Sequence, residues 1–333
     1  MITINFVSKK FIFTKYYNYL VNDILVNNNL GKVIKIDKPD FGHYTNAKQL
    51  GFGFHNNYTN KVYLHHIFKN ESFYPKTMII KKTWVSKNQK RVSDFMNKQT
   101  MVVKPNNGLQ GIDVRLVNNV NEVIEKTSDK EYWVLQEIVK PKLFKGRKFD
   151  FRIFHFIFKY KNNYYNILTK AGFAKVSVYD YTTKSEKGFV TNVSYNLKEG
   201  SNDKIIYEIN TFMKMLEPND KKRKELFNKA YNLIRNYSKL LVKKIDFETN
   251  KFHNKPLSQT IIYGPDIMFD DKDEIHLIET NCYPGLMIEK DEITEFQKIL
   301  FKDIAQKIFI PILQNKEINL LDIKGDLFSI EKI

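Results

Sequence analysis

The chain has 333 residues, with 54 Lys and Arg against 37 Asp and Glu, a formal net charge of +17. Hydrophobic residues at 42% and charged residues at 27% exclude wholesale disorder, and 13 Gly with 9 Pro exclude collagen-like and Pro-rich architectures. The single cysteine, Cys282, excludes an intrachain disulfide framework and fits a reducing compartment.

The length suits two or three lobes. The positive charge favours an acidic partner, whether nucleic acid, a membrane surface or an acidic polypeptide, and says little about fold. The opening stretch Met1–Val21 is apolar in patches, but Lys9, Lys10 and Lys15 break it. It falls short of the roughly 7–15 apolar residues of a secretory core, and no stretch reaches the about 20 needed to span a bilayer. The chain therefore reads as soluble and cytoplasmic, with no membrane partner.

Residues 1–71 read as a small N-terminal lobe, with alternation at Val33–Asp37, a breaker at Pro39 and a turn-rich stretch from Gly51 to Asn60. Residues 72–139 form the next unit. Met78–Ile80 reads as a short strand, 84–97 as helical, and Met101–Pro105 as a β-branched strand stopped by proline. Asn106-Asn107-Gly108 predicts a turn, Ile112–Val117 a strand, 119–128 a helix and Tyr132–Val139 a further strand.

Residues 140–333 form the third unit. A basic loop, Lys145-Gly146-Arg147-Lys148, precedes an alternating strand from Phe149 to Phe158 and another over Tyr164–Lys175. The spacing of apolar residues predicts two helices across 203–245, with Ile206 on the first. Ile261–Phe269 and Ile275–Glu279 read as a strand pair around the turn Asp270–Glu274, and a last helix covers 291–314. Mixed strands with outer helices imply an α+β fold rather than a doubly wound sheet.

Three local signals carry chemistry. Asp266 and Glu279-Thr280-Asn281 lie on adjacent predicted strands, where two carboxylates and an amide make a hard-oxygen set suited to Mg²⁺. Taken alone, Asp266 equally suits a strand end and Glu279 a pairing with a nearby lysine. Lys104 ends a strand before a Gly-containing turn, where an ammonium and turn N–H groups can meet phosphate. The spacing is not that of a Walker A loop, and an ordinary hairpin bearing a surface lysine fits as well. Finally, Lys148, Asp150 and Arg152 share one strand face, opposite Phe149, Phe151 and Ile153. That face is either a solvated edge or an anion-handling wall, to which Lys170 and Lys175 of the next strand can add.

In this order the stretches resemble the tubulin–tyrosine ligase-like family of the ATP-grasp superfamily. The matching residues are Phe73-Tyr74-Pro75-Lys76-Thr77, Val103-Lys104-Pro105, Gln136-Glu137-Ile138, Gly146-Arg147-Lys148-Phe149-Asp150-Phe151-Arg152, Thr191-Asn192, and Asp266 with Glu279-Thr280-Asn281. The resemblance spans about residues 70–300. It implies an ATP-grasp fold in which the central and C-terminal lobes clamp ATP between two sheets. It implies Gln136, Glu137 and Ile138 at the adenine, Lys104, Lys148 and Asp150 at the nucleotide, and Arg152 as the catalytic cation on the transferred phosphoryl group. It further implies Lys175 as a second catalytic residue that, with Thr191 and Asn192, also meets the substrate, and Mg²⁺ on Asp266, Glu279 and Asn281.

The chain departs from the family pattern at four places. The loop after Lys104 is shorter, with Gln110 for a basic residue. Lys175 replaces an arginine, Ala171 an acidic residue, and Phe189-Val190 a His-Leu pair. An Arg-to-Lys change loses the bidentate fork near the acceptor.

The implied activity is ATP-dependent ligation of a free amino acid, by tyrosination, glutamylation or glycylation, to an acidic protein or peptide such as a tubulin tail. A wider ATP-grasp ligase acting on a small molecule or another protein, and an inactive basic module that binds nucleic acid, are the competing readings.

Overall fold

The computed structural model describes residues 2–4, 31–33, 41–43, 50–53, 60–108, 113–191, 205–244, 258–281 and 291–333. In chain order the first elements are β1 (Ile2–Ile4), β2 (Gly31–Val33), β3 (Phe41–His43), β4 (Leu50–Gly53) and α1 (Lys61–Phe68). They are followed by β5 (Thr77–Ile80), α2 (Lys82–Lys87), α3 (Gln89–Met96), β6 (Met101–Pro105), β7 (Arg115–Val117), α4 (Val120–Lys126) and β8 (Trp133–Glu137). Next come β9 (Leu143–Phe144), β10 (Arg147–Tyr160), β11 (Asn163–Asp180), β12 (Ile206–Glu208), α5 (Ile209–Leu216) and α6 (Asp220–Val242). The chain closes with β13 (Ser258–Phe269), β14 (Ile275–Asn281), α7 (Asp291–Ile304), a π-helical turn (Ala305–Phe309), α8 (Ile310–Leu313) and β15 (Phe328–Lys332).

The smaller sheet has the antiparallel order β5-β8-β6-β7. Side chains alternate across a strand, so its two faces differ. Met101, Val103, Leu135 and Ile80 pack against Val85, Val92, Met96 and Val123 of the three covering helices. Val102, Lys104 and Gln136 take the other face. The helical stretch expected over 84–97 is broken at Asn88, between α2 and α3.

The larger sheet runs β12-β11-β10-β13-β4-β3-β1-β2, with β14 on β13, β15 on β11 and β9 on β10. The strands β10, β11 and β13 are antiparallel, and β4 adds to β13 in parallel. Both faces of β10 are buried. Phe149, Phe151, Ile153 and Ile157 face a core closed by α1, α5 and α6, where Phe68 stacks on Tyr237 at 5.2 Å. On the opposite face Phe154, Phe156, Phe158 and Tyr160 pack on α7 and the π-helical turn through Phe301, Ile304 and Phe309. The same face is charged at its start, through Lys148, Asp150 and Arg152.

Helix α6 follows its sequence period: Leu226, Ala230, Leu233, Ile234, Tyr237 and Leu241 are buried, and the Asn219 side chain caps its start by accepting from Lys222 N. Ile206, expected on a helix, lies instead on β12, which pairs with β11 opposite Lys175. A three-residue strand directly before a helix is too short to show period two. The last helical stretch ends near the expected residue but passes through the π-helical turn. Among the described residues, no helix is long and apolar enough to cross a membrane.

Candidate active site

The bare face of the small sheet and the charged end of the large sheet flank an open cleft. The small sheet contributes Val102, Lys104 and Gln136, and the segment Glu137–Val139 crosses from one sheet to the other. The large sheet contributes Lys148 and Asp150 from β10, Lys175 from β11, Asp266 and Met268 from β13, and Ile278 and Glu279 from β14. The face of Lys148, Asp150 and Arg152 is not a solvated edge: these residues are 5%, 3% and 9% exposed.

Local backbone features aim these groups. Lys145 and Gly146, at φ 51° and 79°, form the tight turn that starts β10. Gly172 lies opposite Ile153, where a Cβ would sit 2.3 Å from the Arg152 carbonyl oxygen, so only glycine permits that approach. A register shift separates the pairs Asp266↔Glu279 and Ile267↔Leu277. Leu277 points into the core, and two residues later Glu279 would follow it. The extra residue, Ile278, turns Glu279 to the cleft face beside Asp266.

Asp266 is the centre of the charged wall. Arg152 Nε and Nη2 donate to its Oδ1 and Oδ2, each at 2.7 Å. Lys175 Nζ donates to Oδ2 at 2.7 Å, and Asn281 Nδ2 lies 3.3 Å from the same oxygen. Lys175 Nζ is also 2.8 Å from Asp150 Oδ1, while the Thr191 hydroxyl donates to Asp150 Oδ2. Burial acts to raise the Asp266 pKa, but Arg152 and Lys175 outweigh it and hold the carboxyl well below the usual range. Burial likewise opposes the charge on Lys175, and Asp150 and Asp266 overcome it, so its pKa is raised.

Other cations are partnered less fully. Lys104 Nζ donates to Gln136 Oε1 at 2.8 Å, and Gln136 Nε2 donates to Thr77 Oγ1. Burial lowers the Lys104 pKa to about 7, and distant carboxylates such as Glu279 only partly offset it. Lys148 Nζ donates to the Phe189 carbonyl at 3.0 Å and lies 4.5 Å from that ring's centre. Its pKa is also lowered by burial, with Asp150 opposing.

Most of the expected residues therefore converge. Lys104, Gln136, Glu137, Ile138, Lys148, Asp150, Lys175, Thr191, Asp266 and Glu279 line one cleft, and Arg152 and Asn281 touch Asp266 directly. Glu137 Oε1 accepts from Lys76 N, which ties this side chain to the neighbouring strand. Asn192 and Gln110 lie outside the described residues. Lys170 does not join the wall. It is exposed, and its ammonium donates to the Asp326 carbonyl, because its position on β11 has the opposite parity to Lys175. Ala171 is buried in the aromatic core, in keeping with the absence of an acidic residue there. Lys175, expected at the acceptor carboxylate, has its ammonium between two of the protein's own carboxylates.

Sequence reasoning missed several lining residues. Met268 shares the parity of Asp266 and was legible in principle. Lys61 was not: it begins α1, and its ammonium donates to the Gly108 carbonyl at 3.1 Å, beside the turn after Lys104.

Asp266, Glu279 and Asn281 offer hard oxygens that fit Mg²⁺ in kind. Glu279 is a third exposed and has Arg152 Nη2 only at 4.0 Å, so its carboxylate is open to the cleft. Asn281 Nδ2 faces the Gly264 carbonyl and Asp266, which leaves Oδ1 as the atom available to a cation. Among the described residues no group of three His, Cys, Asp or Glu side chains forms a metal cluster.

A family model, that of the tubulin-tyrosine ligase family, matches residues 43–318. The chain belongs to the tubulin-tyrosine ligase family. No curated protein matches it. As a member of the family it is an ATP-grasp-like ligase with an α+β fold. Ligases of this family in general use ATP and Mg²⁺, a protein or peptide acceptor and an amino-acid donor.

Proposed function

We propose that the protein joins a free amino acid to a carboxylate of an acidic polypeptide through an acylphosphate, as a peptide-synthase-type ligase with a tubulin tail as the fitting acceptor. The observation that carries this reading is the meeting of Lys104, Lys148, Arg152 and Lys175 with Asp150, Asp266 and Glu279 in one cleft between two sheets. In family terms the division into lobes 1–71, 72–139 and 140–333 goes with it, as does a cytoplasmic setting.

A carboxylate is a poor electrophile because oxide would have to leave. In the proposed reaction an acceptor oxygen attacks the γ-phosphorus of ATP and ADP departs. The amine nitrogen of the donor then attacks the acyl carbon, the acyl–oxygen bond breaks and inorganic phosphate leaves with the acceptor oxygen. The protein's part is positioning and charge neutralisation.

The apolar side chains of Val102, Val139, Met268 and Ile278 with Gln136–Ile138 form the adenine end. Lys104 and Lys148 meet the phosphates, and Arg152 offsets charge on the transferred group. Asp266, Glu279 and Asn281 would hold Mg²⁺, which when bound supplies charge neutralisation between phosphate oxygens. Thr191, with Asn192, fits the substrate side. The net charge of +17 supports an acidic acceptor.

The test is isotopic. With an acceptor peptide labelled with ¹⁸O in its carboxylates, one labelled oxygen should appear in each phosphate released during ligation. Ligation that releases unlabelled phosphate would overturn the acylphosphate route.

A further inference from the structure

We propose, on the ligase reading above, that Lys175 is a positioning residue: a fixed internal counter-ion that spans Asp150 and Asp266 and, with Arg152, closes Asp266 to a divalent cation while nucleotide is absent.

A carboxylate has a limited capacity for donors. Two oxygens offer about four acceptor positions. On Asp266, Oδ2 is surrounded by three donors, Arg152 Nη2, Lys175 Nζ and Asn281 Nδ2, and Oδ1 accepts from Arg152 Nε. Asp266 is 1% exposed, so water does not compete for these positions. A cation that enters this wall meets the open carboxylate of Glu279 but finds Asp266 taken by two positive groups.

Geometry also separates Lys175 from a substrate ligand. Its ammonium is a compact charge on a flexible stem, here within 2.8 Å of Asp150 and 2.7 Å of Asp266. The side chain is only 5% exposed. Its backbone is fixed on both sides, against Asp150 of β10 and Ile206 of β12. To reach an acceptor carboxylate it would have to leave two buried carboxylates uncompensated, which is strongly unfavourable. Asp150 and Asp266 stand on different strands, and Lys175 is the group that ties them together.

Electron paramagnetic resonance of Mn²⁺ titrated into the nucleotide-free protein tests the role without turnover. Lys175→Met removes one competing cation and should tighten Mn²⁺ binding by at least about tenfold, the size of a one-unit pKa interaction. Lys175→Arg keeps the charge and should return the constant towards that of the wild type. Should Lys175→Met not fold, Arg152→Met removes the other cation from Asp266 and should tighten binding likewise. Glu279→Gln should weaken it, which fixes the ion to this wall.

In steady-state assays Lys175→Met should lower kcat with little change in the acceptor KM. Equal or weaker Mn²⁺ binding in the cation-removed variants overturns the proposal. So does a rise in acceptor KM at unchanged kcat. A wild type that shows the affinity pattern but no ligation would sink the ligase reading and leave the ion-pair role standing. An active wild type with equal constants throughout would sink the role alone.

Discussion

The two walls of the cleft carry charge in opposite ways. The small-sheet wall presents the buried ammonium of Lys104, whose hydrogen-bond partner among the described residues is the neutral amide of Gln136. On the large-sheet wall Arg152 and Lys175 donate to Asp266, and Lys175 is ion-paired with Asp150, whose buried Oδ1 accepts no hydrogen bond among the described residues. The first wall is short of negative charge, and a phosphate would supply it. The second pairs its charges internally, so a ligand there must exchange partners rather than fill a need. Glu279 and Lys148 stand apart on the second wall: the bulge at Ile278 lifts Glu279 clear of the network, and Lys148 donates to the Phe189 carbonyl rather than to a carboxylate.

Breaking the ion-paired wall should have the largest effect. Asp266→Ala strands Arg152 as a buried cation and leaves Lys175 with Asp150 alone of its two carboxylates, and removing one partner of such a network costs about 3–5 kcal/mol. Denaturant midpoints should fall accordingly. Glu279→Gln should separate function from stability. Its carboxylate is a third exposed and distant from its partner, so stability should change by less than about 1 kcal/mol. Turnover should fall about a hundredfold or more, as expected on losing a metal carboxylate worth several kcal/mol to the transition state.

The open wall gives a pH signature. Burial sets the Lys104 pKa near 7, so at pH 8 the free protein holds this group mostly neutral. Phosphate oxygens favour the ammonium, so nucleotide binding should take up a proton at pH 8, and affinity should fall as pH rises above 7. Calorimetry in buffers of differing ionisation enthalpy should show uptake approaching about one proton, lost in Lys104→Met. Uptake that survives in that variant would remove Lys104 from the phosphate site.

The smallest effect lies at the rim. Lys142 is paired with Asp273, whereas Lys145 is exposed above the Phe144 ring. Lys145→Glu should raise the apparent acceptor constant about twofold at low salt. The difference should fade once the Debye length shrinks below about 8 Å, and the ATP constant should not change.

How much of this was legible depended on range. Met101–Pro105, Trp133–Glu137 and the pair Ser258–Phe269 with Ile275–Asn281 announce themselves by β-branched runs and turns, and period two alone put Lys148, Asp150 and Arg152 on one face. Strand β15 and the parallel pairing of β4 with β13 were not legible, because each joins distant segments through backbone bonds that leave no local pattern. The site followed the same rule. The residue types of Asp266, Glu279 and Lys175 were visible, but the partner of Lys175 was set by cross-strand register, and the direction of Glu279 by one extra residue. Lys61 reached the cleft from a helix outside every motif.

Covalent ligation driven by ATP is read out by intact mass spectrometry of the acceptor. The wild-type protein, incubated with ATP, Mg²⁺, all free amino acids and either tubulin or acidic peptides, should add amino-acid residue masses to the acceptor. One ADP and one phosphate should form per residue added, and Glu279→Gln should lose the addition while remaining folded. A folded wild-type protein that adds no mass, releases no ADP and instead binds random DNA with a steep salt dependence is not a ligase.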